Sequence, residues 1–260
     1  RSSFVVDNIG GKHVPVVIAD LSKLSEIKAS DLEAIGYRYD AITDKWNISD
    51  AAADYIFTGN QLLDFALPGT LKIICYPATA LLSKDQEKYF PIYDAAGFVS
   101  SNEQHPYLNF VMLDCFSDTS TINDYTYLDE MANNPTVVIC LSSTNQHAMP
   151  AVRRMFLELI NRGINNPVVL ITDSNWQSAD EHLIHYSTEC GALFLDGFGD
   201  GICLGMGSKS YSDSIGNNAS GRNYLKNQSV EQFLNNTAFG ILQATRTRIS
   251  KTEYISCPSC

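Results

Sequence analysis

Short runs of β-branched and other apolar residues alternate along the chain with longer stretches in which apolar residues recur every three or four positions. This alternation is typical of strand–helix units built around a parallel sheet. Parallel strands are covered on both faces and therefore read as continuous apolar runs. The strongest predicted strands are Val14–Ala19, Leu71–Tyr76, Phe110–Leu113, Val137–Leu141, Val168–Thr172 and Ala192–Leu195, and the weaker ones are Asp54–Phe57, Tyr89–Tyr93 and Gly201–Leu204.

Two helices are predicted from their spacing and their end signals. The first lies between Pro150, which suits a first helical turn, and Gly163, which suits the residue just past a helix end. Its apolar stripe consists of Val152, Met155, Phe156, Leu159 and Ile160. The second begins after Ser229, because Ser229-Val-Glu-Gln232 has the capping-box pattern, and its stripe consists of Val230, Phe233, Leu234, Ala238, Ile241 and Leu242.

The number of strands indicates the architecture. About eight strand candidates in 260 residues predict an α/β fold of the (β/α)8 TIM-barrel type, either regular or in part incomplete or irregular. An open, doubly wound sheet of about five or six strands is the alternative. The stretch Met206–Ser229, rich in serine, asparagine and glycine, is predicted to be a long surface loop, and a partner-binding role for this loop is a further alternative.

Charge limits the classes of partner. The chain has 18 Lys+Arg against 29 Asp+Glu, a formal net charge of −11. A surface of that sign does not neutralise many phosphates, so we expect no nucleic-acid partner and no docking on anionic lipid. The sequence has no run of about 18 apolar residues, and its first residues lack the apolar region of a signal peptide. We therefore expect no membrane association.

The cysteines indicate the cellular compartment. Their number, seven, is odd, and five of them lie in or beside apolar stretches, namely Cys75, Cys115, Cys140, Cys190 and Cys203. This usage is typical of a reducing compartment, and we expect a cytoplasmic protein. Because the chain begins without methionine and stops at Cys260, we also expect it to be a piece of a longer protein.

Four aspartates each follow a predicted strand, at the position where TIM barrels carry their chemistry: Asp20, Asp114, Asp173 and Asp196. A ring of carboxylates at that end can hold a divalent cation or supply an acid/base pair. The competing interpretation is that each aspartate caps the turn or helix that follows. No lysine or arginine occupies an equivalent position, so a diphosphate bound there would lack a cationic clamp.

Two other groups of residues have metal-ligand spacing. His182 and His185 lie three residues apart on a predicted helix, but without a third ligand we interpret them as a solvated pair. Cys257-Pro-Ser-Cys260 places two thiolates on one turn, where both can bind the same iron or zinc ion or form a redox pair. The spacing alone leaves these three possibilities open.

The end of the chain resembles a known family. The run Leu242-Gln-Ala-Thr-Arg-Thr-Arg-Ile-Ser-Lys-Thr-Glu-Tyr-Ile-Ser-Cys-Pro-Ser-Cys260 is similar to the segment that enters the iron–sulfur domain of 4-hydroxy-3-methylbut-2-enyl diphosphate synthases. Upstream, the run Leu193-Phe-Leu-Asp-Gly-Phe-Gly-Asp-Gly-Ile-Cys-Leu204 resembles the Gly-Asp-Gly stretch of the long forms of this enzyme. The resemblance rests on residues 193–260. The rest of the chain agrees with it only in length and in the rhythm of its strands.

The resemblance implies a place for the chain within a larger protein. Long forms of the family insert a second barrel-like domain between a substrate-binding barrel and a domain that carries a [4Fe-4S] cluster. Residues 1–250 look like that inserted barrel, and residues 251–260 look like the linker and the start of the cluster domain. By resemblance, Cys257 and Cys260 are iron ligands, and the inserted barrel holds no catalytic residue and acts as a structural spacer between its flanking domains.

The reaction implied for the whole protein is a reduction in non-mevalonate isoprenoid biosynthesis. It converts 2-C-methyl-D-erythritol 2,4-cyclodiphosphate to 4-hydroxy-3-methylbut-2-enyl diphosphate with electrons from ferredoxin or flavodoxin. Arg246, Arg248 and Lys251 precede the predicted iron ligands, where positive charge would favour docking of an acidic electron carrier, or they belong to a solvated linker. The alternative function is an independent barrel enzyme with a divalent metal bound by the four aspartates.

Overall fold

The computed structural model describes residues 1–116, 124–207 and 229–252. Within these ranges eight parallel strands close into a barrel, and neighbouring strands in the barrel follow one another in the sequence. The circle closes where the first strand pairs with the last, Val16 opposite Gly201. The barrel strands are β1 Val16–Asp20, β4 Tyr55–Gly59, β5 Lys72–Cys75, β6 Tyr89–Asp94, β7 Asn109–Asp114, β8 Val137–Ser142, β9 Val168–Ser174 and β10 Gly201–Met206, and a separate hairpin consists of β2 Tyr37–Asp40 and β3 Lys45–Ile48. The predicted barrel is confirmed.

Helices surround the barrel unevenly. They are α1 Pro77–Leu82, α2 Ala95–Ser100, α3 Leu128–Met131, α4 Met149–Asn161, α5 Ala179–Tyr186, α6 Ala192–Leu195 and α7 Val230–Ala244, with 3-10 turns at Ala29–Ile35 and Asp124–Tyr127. The described residues 60–71, between β4 and β5, form no helix, so the barrel is irregular there. In the part of the chain that the structure describes, no helix is long and apolar enough to cross a bilayer.

The two predicted helices are confirmed. Helix α4 buries one side of its stripe against the barrel, and Gly163 follows it with a φ of 68°, a left-handed conformation that favours glycine. Helix α7 begins at Ser229, whose hydroxyl oxygen accepts a hydrogen bond of 3.2 Å from the N–H of Gln232. The end of α4 and the start of α7 could be predicted because helix caps depend on local residue types.

One predicted strand is wrong. Residues Ala192–Leu195 form helix α6, and a π-helical turn at Ser187–Gly191 joins this helix to α5. Leu193 and Phe194 are buried against the barrel, and a short apolar run of this kind fits a buried helix as well as a strand. The eighth strand is instead the weaker candidate at Gly201–Leu204.

The space inside the barrel is filled by side chains. One cluster of buried residues faces the axis and consists mainly of Val16, Ile18, Tyr55, Ile74, Phe90, Ile92, Phe110, Val138, Cys140, Val169 and Cys203. The larger cluster lies between the strands and the helices. The barrel therefore has a packed core and no open channel.

The amino ends of the strands, which we call the floor of the barrel, are covered by the first residues of the chain. Val6 and Ile9 form an antiparallel bridge and belong to the inner cluster. The Tyr55 hydroxyl donates a hydrogen bond of 2.5 Å to the carboxylate of Asp7, which also pairs with Lys72. Because both apolar and charged contacts hold this turn, it closes the floor from below.

Candidate functional site

The carboxyl ends of the strands, which we call the mouth, carry acidic residues as predicted. Side chains alternate between the two faces of a strand. Ile18 in β1 and Val169 in β9 face the axis, so Asp20 and Asp173, two and four residues further on, lie on the same inner side. The same alternation applies to Asp114 at the end of β7. Three of the four predicted aspartates therefore belong to the mouth.

The fourth aspartate does not. Asp196 follows helix α6 instead of a strand, and its carboxylate forms an ion pair with Arg153 on α4. The error has the same origin as the mistaken strand at Ala192–Leu195, because the aspartate position was inferred from that strand. Asp196 is a surface residue between two helices.

Asp20 makes the local bonds expected of a capping residue. Its Oδ1 accepts hydrogen bonds from the N–H of Ser22 at 2.9 Å and from the Ser22 hydroxyl at 2.6 Å. This arrangement stabilises the turn that follows β1, which supports the capping interpretation for this position. The carboxylate is thus occupied by its own loop.

Asp173 has a different environment. Neighbouring protein atoms partly shield its carboxyl group from water and so raise its pKa, and the negative charge of Asp20 raises the pKa further, while Lys23 opposes both effects. The Asp173 carboxylate lies directly over Gly205 in β10, since a β-carbon at that glycine would come within 1.9 Å of Oδ1. Gly205 therefore makes the space that Asp173 occupies, a role that its position in an apolar run did not indicate.

A cavity of about 380 Å³ opens beside the mouth, at the ends of β8 and β9. Its walls include Ser142, Asn145, Asp173, Trp176 and His185. The described residues that line it supply hydroxyl, amide, carboxyl, indole and imidazole groups, and none of them is a lysine or an arginine. The cavity therefore lacks the lysine or arginine clamp that commonly binds a diphosphate, and the carboxylate of Asp173 would repel that ligand.

The carboxylate-metal site of the alternative hypothesis does not form within the described ranges. Among their histidine, cysteine, aspartate and glutamate side chains, no three come together as possible ligands of one ion. Asp20 and Asp173 influence each other electrostatically, but two carboxylates fall short of the six to eight oxygens that calcium takes. The described part of the mouth therefore supports neither a metal site nor a phosphate site.

His182 and His185 were predicted to be a solvated pair, and this prediction is wrong for His182. His182 is fully buried, and its Nδ1 lies 2.6 Å from the Ser174 hydroxyl at the end of β9. Its ring stacks on Tyr186, with ring centroids 6.1 Å apart. His185 instead contacts the backbone carbonyl of Asp173 through Nε2 at 3.1 Å. His182 is therefore part of the packing between α5 and the barrel.

The burial of His182 predicts a loss of stability in acid. Desolvation lowers the pKa of its imidazole, the charge of His185 lowers it further, and Glu181 opposes them. Below the ordinary pKa of about 6.5 the unfolded chain binds a proton at this residue and the folded chain does not. Above that pH this residue does not reduce the free energy of unfolding. As the pH falls below it, the free energy of unfolding decreases by at most about 1.4 kcal/mol per pH unit.

Urea unfolding between pH 7.5 and pH 5.5 measures this effect. We expect the His182→Gln variant to have a smaller pH dependence of its unfolding free energy than the parent chain. His13→Gln is the matched control, because His13 is exposed to solvent. Equal pH dependence in the parent and His182→Gln would contradict the assignment.

The residues that follow α7 are attached to the floor of the barrel through Arg248. Its Nη1 donates to the carbonyl oxygen of Pro15 at 3.0 Å and to Oδ2 of Asp54 at 2.5 Å, and its Nη2 donates to Oδ1 of Asp54 at 3.2 Å. The guanidinium also lies over the ring of Phe239, 4.9 Å from the centroid. Arg248 is therefore bound to the barrel through its guanidinium group. This finding contradicts the hypothesis that Arg248 docks an electron carrier and the hypothesis that it lies in a solvated linker. Arg246 and Lys251 are exposed.

The sequence did not indicate Asp54 as the partner of Arg248. The two residues are 194 positions apart, and nothing local marks an aspartate before a strand as half of an ion pair. The sequence shows that residue 248 is a charged arginine, but no local pattern predicts that its side chain is largely buried.

The cysteines divide into two groups. All five in the described ranges are buried. Burial raises the pKa of Cys75 and of Cys190 to about 12, and it also raises the pKa of Cys140 and Cys203. Thiols held protonated in this way are poor metal ligands. The two predicted iron ligands, Cys257 and Cys260, lie outside the described residues.

Comparisons with known proteins agree with the resemblance at the end of the chain. No family model matches the chain. Over its whole length it is 31% identical to the 4-hydroxy-3-methylbut-2-en-1-yl diphosphate synthase (flavodoxin) of Parabacteroides distasonis and 29% identical to the protein of the same name from Bacteroides thetaiotaomicron. The chain spans 35% of the length of each of these relatives.

A shorter similarity extends to plants. Over 111 residues, or 42% of the chain, the identity is 36% to the chloroplastic 4-hydroxy-3-methylbut-2-en-1-yl diphosphate synthase (ferredoxin) of Arabidopsis thaliana, of which the match covers 12%. The predicted resemblance is thus confirmed and extends well beyond residues 193–260. Along its whole length the chain is related to a segment of about a third of a 4-hydroxy-3-methylbut-2-en-1-yl diphosphate synthase, as expected for the inserted middle barrel of the long form.

Proposed function

We propose that this chain is the middle barrel of a [4Fe-4S] reductase that converts 2-C-methyl-D-erythritol 2,4-cyclodiphosphate to 4-hydroxy-3-methylbut-2-enyl diphosphate. In this proposal residues 1–250 form the inserted barrel, and residues 251–260 lead into the cluster domain. The observation that carries the proposal is the similarity of the entire chain to about a third of synthases that bear this name. The closed barrel adds support, because it is the fold expected of the insert.

The proposed iron ligands are Cys257 and Cys260. Their Cys-x-x-Cys spacing suits two thiolate ligands of one cluster. The five described cysteines support this choice indirectly, because they are buried and dispersed through the barrel. When bound, a [4Fe-4S] cluster supplies single electrons and a Lewis-acidic iron. The overall reaction takes up two electrons and two protons, opens the cyclic diphosphate and releases one water molecule.

The barrel itself is proposed to be a spacer without catalytic residues. Its interior is filled by side chains, and its mouth presents the carboxylates of Asp20 and Asp173. Negative charge there disfavours the substrate, which carries two phosphates. The flanking barrel and cluster domains of the longer protein are its proposed partners, and ferredoxin or flavodoxin is the proposed electron donor. We place the whole protein in the cytoplasm, and the five described cysteines, none of which forms a disulfide, support a reducing compartment.

Anaerobic analysis of the protein extended past Cys260 through the following domain tests the cofactor. We expect about four iron and four sulfide atoms per chain. When the preceding barrel is also present, reduced flavodoxin or ferredoxin should support turnover of the cyclic diphosphate. Zinc in place of iron, or an iron-loaded full-length protein that leaves the cyclic diphosphate unchanged, would refute the proposal.

A further inference from the structure

The segment 245–251, which we call the exit segment, does not leave the barrel freely after α7. It folds back onto the end of this helix through Gln243. The side-chain oxygen of Gln243 accepts hydrogen bonds from the N–H groups of Ser250 and Lys251, each at 2.9 Å. Its side-chain nitrogen donates to the carbonyl oxygen of Lys251 at 2.7 Å. The amide group of Gln243 thus binds both N–H groups and a carbonyl oxygen at the end of the exit segment.

Arg248 attaches the middle of the same segment to the barrel. The bidentate pair with Asp54 is well shielded, since the two side chains are 16% and 22% exposed. Asp54 also accepts a hydrogen bond of 2.7 Å from the N–H of Val17, the second residue of β1. The contact therefore runs from the exit segment through two side chains to the backbone of a barrel strand. Planar bidentate pairs of this kind fix orientation as well as distance.

These attachments limit where the following residues can go. Cys257 follows Lys251 by six positions. A chain of that length reaches about 20 Å when it is fully extended. The first proposed iron ligand is therefore held within that distance of a point fixed on the barrel floor.

We propose that Arg248 is a positioning residue for the cluster domain: by locking the exit segment to Asp54, it fixes the point on the barrel floor from which Cys257 and Cys260 are presented. This inference rests on the proposed function, because it assumes that a cluster domain follows. It assigns to Arg248 a role in interdomain geometry and none in carrier docking or in contact with the substrate.

Turnover by the full-length protein with two electron donors tests this role. In Arg248→Ala we expect iron and sulfide to stay at the parent's level and kcat to fall about tenfold, because a small misplacement of the reacting groups is costly. KM for the cyclic diphosphate should not change. The loss should be the same with reduced methyl viologen and with reduced flavodoxin, since the geometry of the cluster domain affects both.

Two matched variants separate positioning from charge. Arg246→Ala removes the same charge from an exposed side chain two residues away and should keep the parent's kcat with reduced methyl viologen, which requires no docking of a carrier protein. Arg248→Lys keeps the charge but cannot form the bidentate pair, so it should restore activity only in part. Full rescue by lysine, or a loss confined to reduced flavodoxin, would overturn the positioning role and indicate carrier docking instead.

Hydrogen exchange separates local release from general destabilisation. In Arg248→Ala the amides of Ser250 and Lys251 should exchange at least about tenfold faster while those of the barrel strands stay protected. Gln243→Ala removes the second attachment without touching the ion pair, and it should give the same local pattern even if Arg248→Ala folds poorly. Unchanged exchange in both variants would refute the inference. Absence of iron from the parent protein would instead refute the proposed function.

Discussion

Replacing Cys257 and Cys260 together with serine, in the protein extended through the following domain, is expected to abolish cluster binding and turnover. Two of the proposed cluster ligands are removed at once, and serine does not replace thiolate as an iron ligand of comparable strength. The iron and sulfide contents should fall to background, and the visible absorption of the cluster should disappear. Because no electrons then reach the substrate, the rate should fall below detection.

A buried cysteine gives the control for this experiment. Cys75 is fully buried, and its sulfur lies 3.9 Å from the carbonyl oxygen of Phe90, which a serine hydroxyl can also approach. Cys75→Ser should therefore keep the iron and sulfide of the parent. If the Cys257→Ser, Cys260→Ser protein retained its cluster, the ligand assignment would be wrong.

Truncation of Phe110 to alanine is expected to have the largest effect on the stability of the barrel. Phe110 is fully buried in β7, faces the axis, and meets the ring of Tyr55 edge-to-face, with centroids 5.7 Å apart. Truncation of a buried phenylalanine to alanine lowers the free energy of unfolding by about 3–5 kcal/mol, because buried apolar surface is lost and a cavity remains. The strands around the site are paired on both sides and can relax little, which favours the upper part of that range.

Urea unfolding of the 260-residue chain, followed by circular dichroism, measures the difference. Tyr107→Ala, just before β7, is a suitable control, because Tyr107 is 76% exposed and its removal should change the free energy of unfolding by less than about 0.5 kcal/mol. Similar midpoints for the two variants would show that the interior of the barrel is not the packed core described above.

The sequence predicted those features that depend on neighbouring residues. The strands, the stop at Gly163 and the cap at Ser229 follow from local spacing, and the chain order of strands and helices then leads to a barrel. The strand predicted at Ala192–Leu195 is wrong because the length and composition of this run suit a strand and a buried helix equally. Asp196 was consequently misplaced.

The site was predictable only in part for a different reason. The cysteine pair and the aspartates at the carboxyl ends of β1, β7 and β9 can be recognised in the sequence as a motif or by their positions. The pairing of Asp54 with Arg248 and the burial of His182 arise from contacts between distant segments, and no local pattern encodes them. Residues of ordinary appearance, such as Gln243, acquire their roles only when the fold brings partners to them.

The buried thiols of the barrel have a practical consequence for chemical labelling. The chain has seven cysteines, and the five in the described ranges are enclosed, with a raised pKa at Cys75, Cys140, Cys190 and Cys203. An alkylating reagent attacks thiolates that it can reach, so the folded barrel is inert toward it. Any modification of the native chain thus reports on Cys257 and Cys260 alone, and iron and sulfide added during reconstitution meet no competing thiols from the barrel.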